Sequence, residues 1–290
     1  MKIKKKRISA FDIVNYIFLA IIAFITFYPM WYVLIVSMSS SQHIYAGDIS
    51  FWPRGFNIEA YKVVFRNERI WRAYLNTFLY TAAGTAINVI LTAMCAYPLS
   101  RADFYGRKTL TVFITLTMFV SGGMIPLYLV IMKLKMINTM WAIVLPPAIS
   151  TYNMIVMRTS FQAIPMSLTE SAYLDGANDI QIFGKIILPL SKAILATMTL
   201  FYAVSHWNSF FPAMLYLNDQ SKYPVQVIMR DIVIAGDMAS DAGGETGMLN
   251  IVATNYKYAV IVVSMVPILL VYPLLQKHFT KGVMVGAVKG

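Results

Sequence analysis

Six stretches of this chain are apolar and long enough to cross a bilayer as helices, and none of them contains Asp, Glu, Lys or Arg. A crossing takes about 20 helical residues. The stretches cover residues 13–38, 73–99, 110–132, 140–157, 193–217 and 258–275. In lipid every backbone polar group must find a partner inside the protein, so segments of this length are expected to be helices. Several carry Pro or Gly, among them Pro29, Gly84, Gly122, Gly123, Pro146, Pro147 and Pro267. Neighbouring helices must then satisfy the backbone groups that these residues free. The connecting segments are too short to bury cores of their own. The reading is an all-α integral membrane protein, residues 1–290 forming one transmembrane domain of six helices.

Only 13% of the 290 residues are charged, against about a quarter in soluble domains. The net charge of +11 would suggest nucleic acid in a polar protein. In a membrane chain it marks the cytoplasmic helix ends, where Lys and Arg gather, and no nucleic-acid partner is expected. Fourteen of the 24 Lys and Arg lie on segments sharing a side with the N-terminus. Both termini are therefore expected in the cytoplasm of a multi-pass cell-membrane protein surrounded by lipid. The basic start, Lys2 to Arg7, resembles a signal peptide, but the apolar run behind it is too long and lacks a small-residue cleavage site. It reads as a retained first helix. The single cysteine, Cys95, excludes an intrachain disulfide.

The segment 158–192 carries the most information. Ser167 followed by Glu170 fits a capping box at the start of a short helix. Gly176 suits the left-handed end of that helix, and Asn178 or Asp179 can cap a second one. Ile180, Phe183, Ile186 and Ile187 fall on one face of it, and Pro189 interrupts the continuation. A hairpin lying on lipid headgroups is usually rich in Lys and Arg. This one carries Glu170, Asp175 and Asp179 against Lys185 alone, which suits docking into a protein pocket better.

The run also resembles the EAA loop of ABC-importer permeases, E-A-A, three residues, G, nine residues, I, one residue, L-P. Glu170, Ala172, Gly176, Ile186, Leu188 and Pro189 all fall in register, with Ser171 in place of the usual second Ala. Asn76-Thr-Phe, Tyr97-Pro-Leu-Ser-Arg101, Trp207-Asn208 and the end from Lys281 to Gly290 are similar to permeases of maltose-type carbohydrate importers. Within that group the chain looks closest to the branch linked to oligosaccharides from complex polysaccharides. The resemblance implies a type I ABC-importer permease working by alternating access. Its implied partners are a homologous permease in a heterodimer, two ATPase subunits and an extracytoplasmic solute-binding protein. ATP and Mg would be bound on the ATPase subunits, where the coupling loop, including Asp175, would seat.

The sequence agrees from another direction. It has no G-x-x-x-x-G-K-[ST] phosphate loop, so the chain should bind no cofactor and hydrolyse no ATP. Ion-gradient carriers place charged groups inside their spans, and this chain has none there, which favours an ATP-driven importer over a secondary carrier. A neutral pathway suits a hydroxyl-rich solute. Amides can pair with sugar hydroxyls and an indole can stack on a sugar ring. Tyr152, Asn153, His206, Trp207, Asn208 and Asn76 are the candidate pathway residues. For Asn76, Asn88 and His206 the role first expected is a hydrogen-bonding link between helices. An ABC permease for a peptide or amino acid would share the same loop. The resemblance implies that the outer segment 218–257, rich in acidic residues, contacts the binding protein, a solvated loop being the alternative.

Overall fold

A computed structural model describes residues 9–241 and 255–270, with helices and turns but no strand among them. In chain order the helices begin with α1 (Ala10–Ser37), α2 (Ser41–Ala46), α3 (Glu59–Arg66) and α4 (Glu68–Ser100). Next come α5 (Arg107–Leu116), α6 (Met124–Lys133), α7 (Trp141–Val144), α8 (Thr151–Gln162) and α9 (Met166–Leu174). Then follow α10 (Asp179–Ile182), a π turn over Phe183–Ile187, α11 (Leu188–Leu190), α12 (Lys192–Trp207), α13 (Phe211–Tyr216) and α14 (Val225–Asp241). The last described helix is α15 (Asn255–Leu270).

The chain divides into two compact units, one of Met1–Asn67 with Met229–Met265 and one of Glu68–Ile228 with Val266–Gly290. In the first, α1 opens with a capping box between Ser9 and Asp12. Only its last turn, Ile35, Val36 and Ser37, is buried. Ile35 and Val36 pack against Ile49, with Tyr258 beside them. The Asn255 amide donates to the Ser39 carbonyl at 2.8 Å and ties α15 to this end of α1.

Among the described residues two helices, α1 and α4, are long and apolar enough to cross a bilayer unbroken. The other expected crossings are interrupted where the sequence carries Pro or Gly. Residues 110–132 divide around Gly122 and Gly123, with Gly123 at φ +81°. Residues 140–157 break at Pro146 and Pro147, between α7 and α8. Residues 193–217 stop at the end of α12 and resume as α13, which has Pro212 in its first turn. Of the sixth stretch, residues 271–275 lie outside the described residues.

A break in an apolar setting leaves backbone groups that water cannot reach. In the second unit α4 and α12 supply the missing partners. Asn88 Nδ2 donates to the Pro147 carbonyl at 2.9 Å. The Ser150 amide donates to the Tyr202 hydroxyl at 3.1 Å, and that hydroxyl shares a hydrogen with Thr92 at 2.7 Å. His206 Nε2 lies 3.4 Å from Asn88 Oδ1. Gly84 lets α4 approach this imidazole, because a Cβ there would stand 2.5 Å from Nε2.

Beside this clasp, Ala93, Ala96, Tyr97 and Leu99 of α4 pack with Met154, Met157 and Phe161 of α8 and Met198 of α12. The small Ala93 and Ala96 allow close helix approach. The same core takes in Ala172, Ile182 and Ile187 from the hairpin that follows α8.

Tyr202→Phe should leave Ser150 N–H and Thr92 without that hydroxyl and cost about 1 kcal/mol. Gly84→Leu should cost more, because the added side chain meets His206 directly. Thermal unfolding in detergent checks both, and an unchanged melting temperature for the pair would contradict the clasp.

Candidate functional site

The hairpin runs from α9 through a glycine corner into α10, the π turn and α11. Pro165 precedes α9 with φ −56°, and its carbonyl accepts from the Leu168 amide at 3.3 Å. Proline's fixed φ suits a helix entry. Ser167 consequently lies inside the first turn, and the expected Ser167–Glu170 capping box is not made, since α9 has no side-chain cap bond.

The other end follows the expected chemistry. The Ala177 amide donates to the Ala172 carbonyl at 2.9 Å and the Gly176 amide to the Tyr173 carbonyl at 3.0 Å. This pair of bonds is a Schellman motif. Gly176 has φ +80°, and a Cβ added there would meet nothing within 4 Å. Left-handed backbone, not lack of room, is what calls for glycine. Asn178 then caps α10, its Oδ1 accepting from the Gln181 amide at 2.9 Å while Gln181 Oε1 accepts from the Asn178 amide at 3.0 Å.

The hairpin residues separate by face. Ala172 is buried, and the half-buried Ile186 and Leu188 pack against the α4–α8–α12 core. Glu170, Ser171, Asp175, Gly176 and Pro189 are exposed. Ile180 leaves the face expected for it and is 82% exposed, while Ile182 is fully buried. The π turn at Phe183–Ile187 is the reason, because a wider turn shifts the register of everything on either side of it. Leu174, at the corner, is 91% exposed. Two carboxylates beside projecting apolar side chains, fixed to a rigid base, form a surface suited to a protein partner. Past α11 the chain bends by 82° into α12.

The candidate pathway residues are not gathered in one place. The Asn76 amide is spent on the carbonyls of Ser221 and Tyr223, at 2.8 and 3.1 Å. His206 is buried in the clasp. Asn208 caps α12, its Nδ2 donating to the Val204 carbonyl at 3.0 Å. Tyr152 is exposed and Asn153 buried, both in the first turn of α8. Trp207 alone among the six lines a cavity of about 550 Å³ walled by α4, α12, Pro267 and Ile268. Its indole Nε1 and the hydroxyls of Thr81 and Thr85, which also line the cavity, are buried without a hydrogen-bond partner among the described residues.

Tyr202 and Thr92 were not among the candidates. Their signal is spacing: Gly84, Asn88 and Thr92 recur every four residues on α4, and Tyr202 and His206 stand four apart on α12. Residues four apart share a helix face, so these two polar stripes could have been matched.

Residues 66–285 match the family described as "Binding-protein-dependent transport system inner membrane component". The chain is 42% identical over 285 residues to the polygalacturonan/rhamnogalacturonan transport system permease protein YtcP of Bacillus subtilis (strain 168), covering 97% of this chain and 98% of that one. It is 41% identical over 282 residues to protein LplC of the same organism, covering 97% and 95%. It also resembles, with a TM-score of 0.85 and 33% identity, a chain of a bacterial ABC transporter involved in the import of the acidic polysaccharide alginate, covering 96% and 99% of the two chains. This chain belongs to the binding-protein-dependent transport system inner membrane component family, and is an ABC-importer permease, an all-α membrane subunit rather than an enzyme.

Proposed function

We propose that the chain carries an oligosaccharide into the cytoplasm, as one of two homologous permeases driven by two ATPase subunits and fed by an extracytoplasmic binding protein. ATP and Mg act on the ATPase subunits. The six apolar stretches make one permease domain, with both termini and the hairpin in the cytoplasm. The observation that carries this reading is the hairpin. Its inner face, Ala172, Ile186 and Leu188, joins the membrane core, while Glu170, Ser171, Asp175 and Gly176 stand outward at a rigid corner. A partner that moves the outer face therefore moves the bundle.

Two relatives bear on the solute. One is named for polygalacturonan and rhamnogalacturonan and the other for alginate, which its title calls acidic. An oligosaccharide containing uronate units is the substrate class proposed here. Arg69 and Arg72, in the first turns of α4, place positive charge at the end of that helix away from the hairpin. Trp207 offers the stacking face, with Tyr152, Asn153 and Asn208 as further pathway groups. Asn76 and His206, spent on other protein groups, contribute by holding helices.

Purification of the tagged chain in mild detergent from its host should bring down a subunit with an ATP-binding phosphate loop and a second permease. ATPase activity of that complex should rise with binding protein loaded with an oligogalacturonide. A chain that is stable alone would contradict the reading.

The corner gives a sharper prediction. Left-handed backbone costs a residue with a Cβ about 1–2 kcal/mol, and Asn tolerates it best. Gly176→Val should impair uptake while the helices stay folded, and Gly176→Asn should retain the most. Near-normal uptake by the Val variant would count against a coupling role.

A further inference from the structure

Arg101 stands just beyond the end of α4 and reaches the hairpin. Its Nε and Nη2 donate to the two carboxylate oxygens of Asp103, each at 3.1 Å. That fork fixes the guanidinium plane, and its Cζ lies 5.3 Å from the centre of the Tyr173 ring. The Tyr173 hydroxyl donates to Asp179 Oδ1 at 2.5 Å, which joins the two sides of the Gly176 corner. Beneath them the rings of Tyr97 and Phe183 lie 5.0 Å apart. The Arg107 Nη1 donates to the Arg101 carbonyl at 3.3 Å and holds the turn from below. The Arg101 side chain is only 15% exposed, although its partner Asp103 is 62% exposed. Hydrogen bonds from Arg101 hold the Asp103 carboxyl below its usual range, and the bond to Asp179 pushes the Tyr173 phenol upward. A carboxylate and a neutral phenol are thus the forms present near neutral pH.

The inward contacts of the hairpin are made by Thr169 and Ala172 of α9, by Ala177 after the corner, and by Ile182 and Ile187 beyond it. Leu174, Asp175 and Gly176, at the corner, are exposed. The side chains packed inward nearest the corner, Ala172 and Ala177, are small, so a second tie to the end of α4 stiffens the path by which a push on the exposed face reaches the bundle. Tyr173, adjacent to Ala172, supplies that second tie through its contact with Arg101, just past the end of α4. We infer that Arg101 is a positioning residue for coupling: clamped by Asp103, it holds Tyr173 and so fixes the angle of α9 against the end of α4. The inference rests on the coupling role proposed above. Arginine is required by its chemistry, since a planar fork can bond one carboxylate at two points while stacking on an aromatic face, and an ammonium cannot.

The test uses the purified importer with its partner subunits in proteoliposomes, comparing wild type with Arg101→Gln, Arg101→Lys, Tyr173→Leu and Tyr173→Phe. Each variant is scored for assembly, basal ATPase rate and solute transported per ATP hydrolysed. Assembly and basal ATPase should stay at the wild-type level. Transport per ATP should fall by up to about fivefold in Arg101→Gln and Tyr173→Leu, as for loss of a partly exposed cation–π contact. Arg101→Lys should recover only part of it, and Tyr173→Phe, which keeps the ring, should recover most. Wild-type transport per ATP in Arg101→Gln and Tyr173→Leu would overturn the inference. So would a fall in assembly with an unchanged ratio, which is what a purely structural residue gives. Gly176→Val separates the two proposals: if it uncouples while Arg101→Gln does not, only the clamp is wrong, and if neither uncouples, the coupling role fails.

Discussion

The rest of the larger unit depends on one constraint: backbone freed at Pro146 and Pro147 in an apolar crossing must find its partners within the protein. Asn88 meets the Pro147 carbonyl and Tyr202 meets the Ser150 amide. These bonds bring α4 and α12 onto the broken crossing, and their register follows. Gly84 then has to face His206, because any side chain there would occupy the space of the imidazole. Polar residues at membrane depth are expensive unless paired. Here the pairing fixes which helix faces meet.

The hairpin extends the same packing. Its buried residues enter the core that Met154, Met157 and Met198 complete, so the outward face at Glu170–Gly176 is carried on the membrane bundle itself. A loop tethered only at its ends would absorb displacement. One whose Ala172 packs among α4, α8 and α12 is built to move with them. The coupling role proposed for the hairpin, as the contact with the subunit that hydrolyses ATP, relies on packing of this kind. Interiors that are closely packed respond by discrete rearrangement rather than gradual yielding.

Much of this was legible in the chain. The membrane character, the Gly176 corner and the Asn178 cap followed from apolar length, left-handed backbone and side-chain reach. Local rules failed where a neighbour decided. Pro165 set the entry of α9 and pre-empted Ser167. The π turn rotated Ile180 out of the core and Ile182 into it, which a 3.6-residue period cannot anticipate. The crossings at 110–132, 140–157 and 193–217 looked continuous because apolar length alone does not reveal where Gly and Pro break a helix. Asn76 and His206 could be read either as helix links or as solute contacts, because a sequence does not show which polar groups are already paired. Their partners lie 145 and 118 residues away in the chain.

The most direct test of a hairpin that moves with the bundle is a distance measured across the two. With Cys95 replaced by Ser, spin labels at Ser171→Cys and Thr159→Cys report on α9 and α8 by pulsed electron resonance in the assembled importer. The distance should stay constant between the nucleotide-free and ATP-trapped states. A change approaching one helical turn, about 5.4 Å, would mean that the hairpin slides on the bundle, and the mechanical account would be wrong.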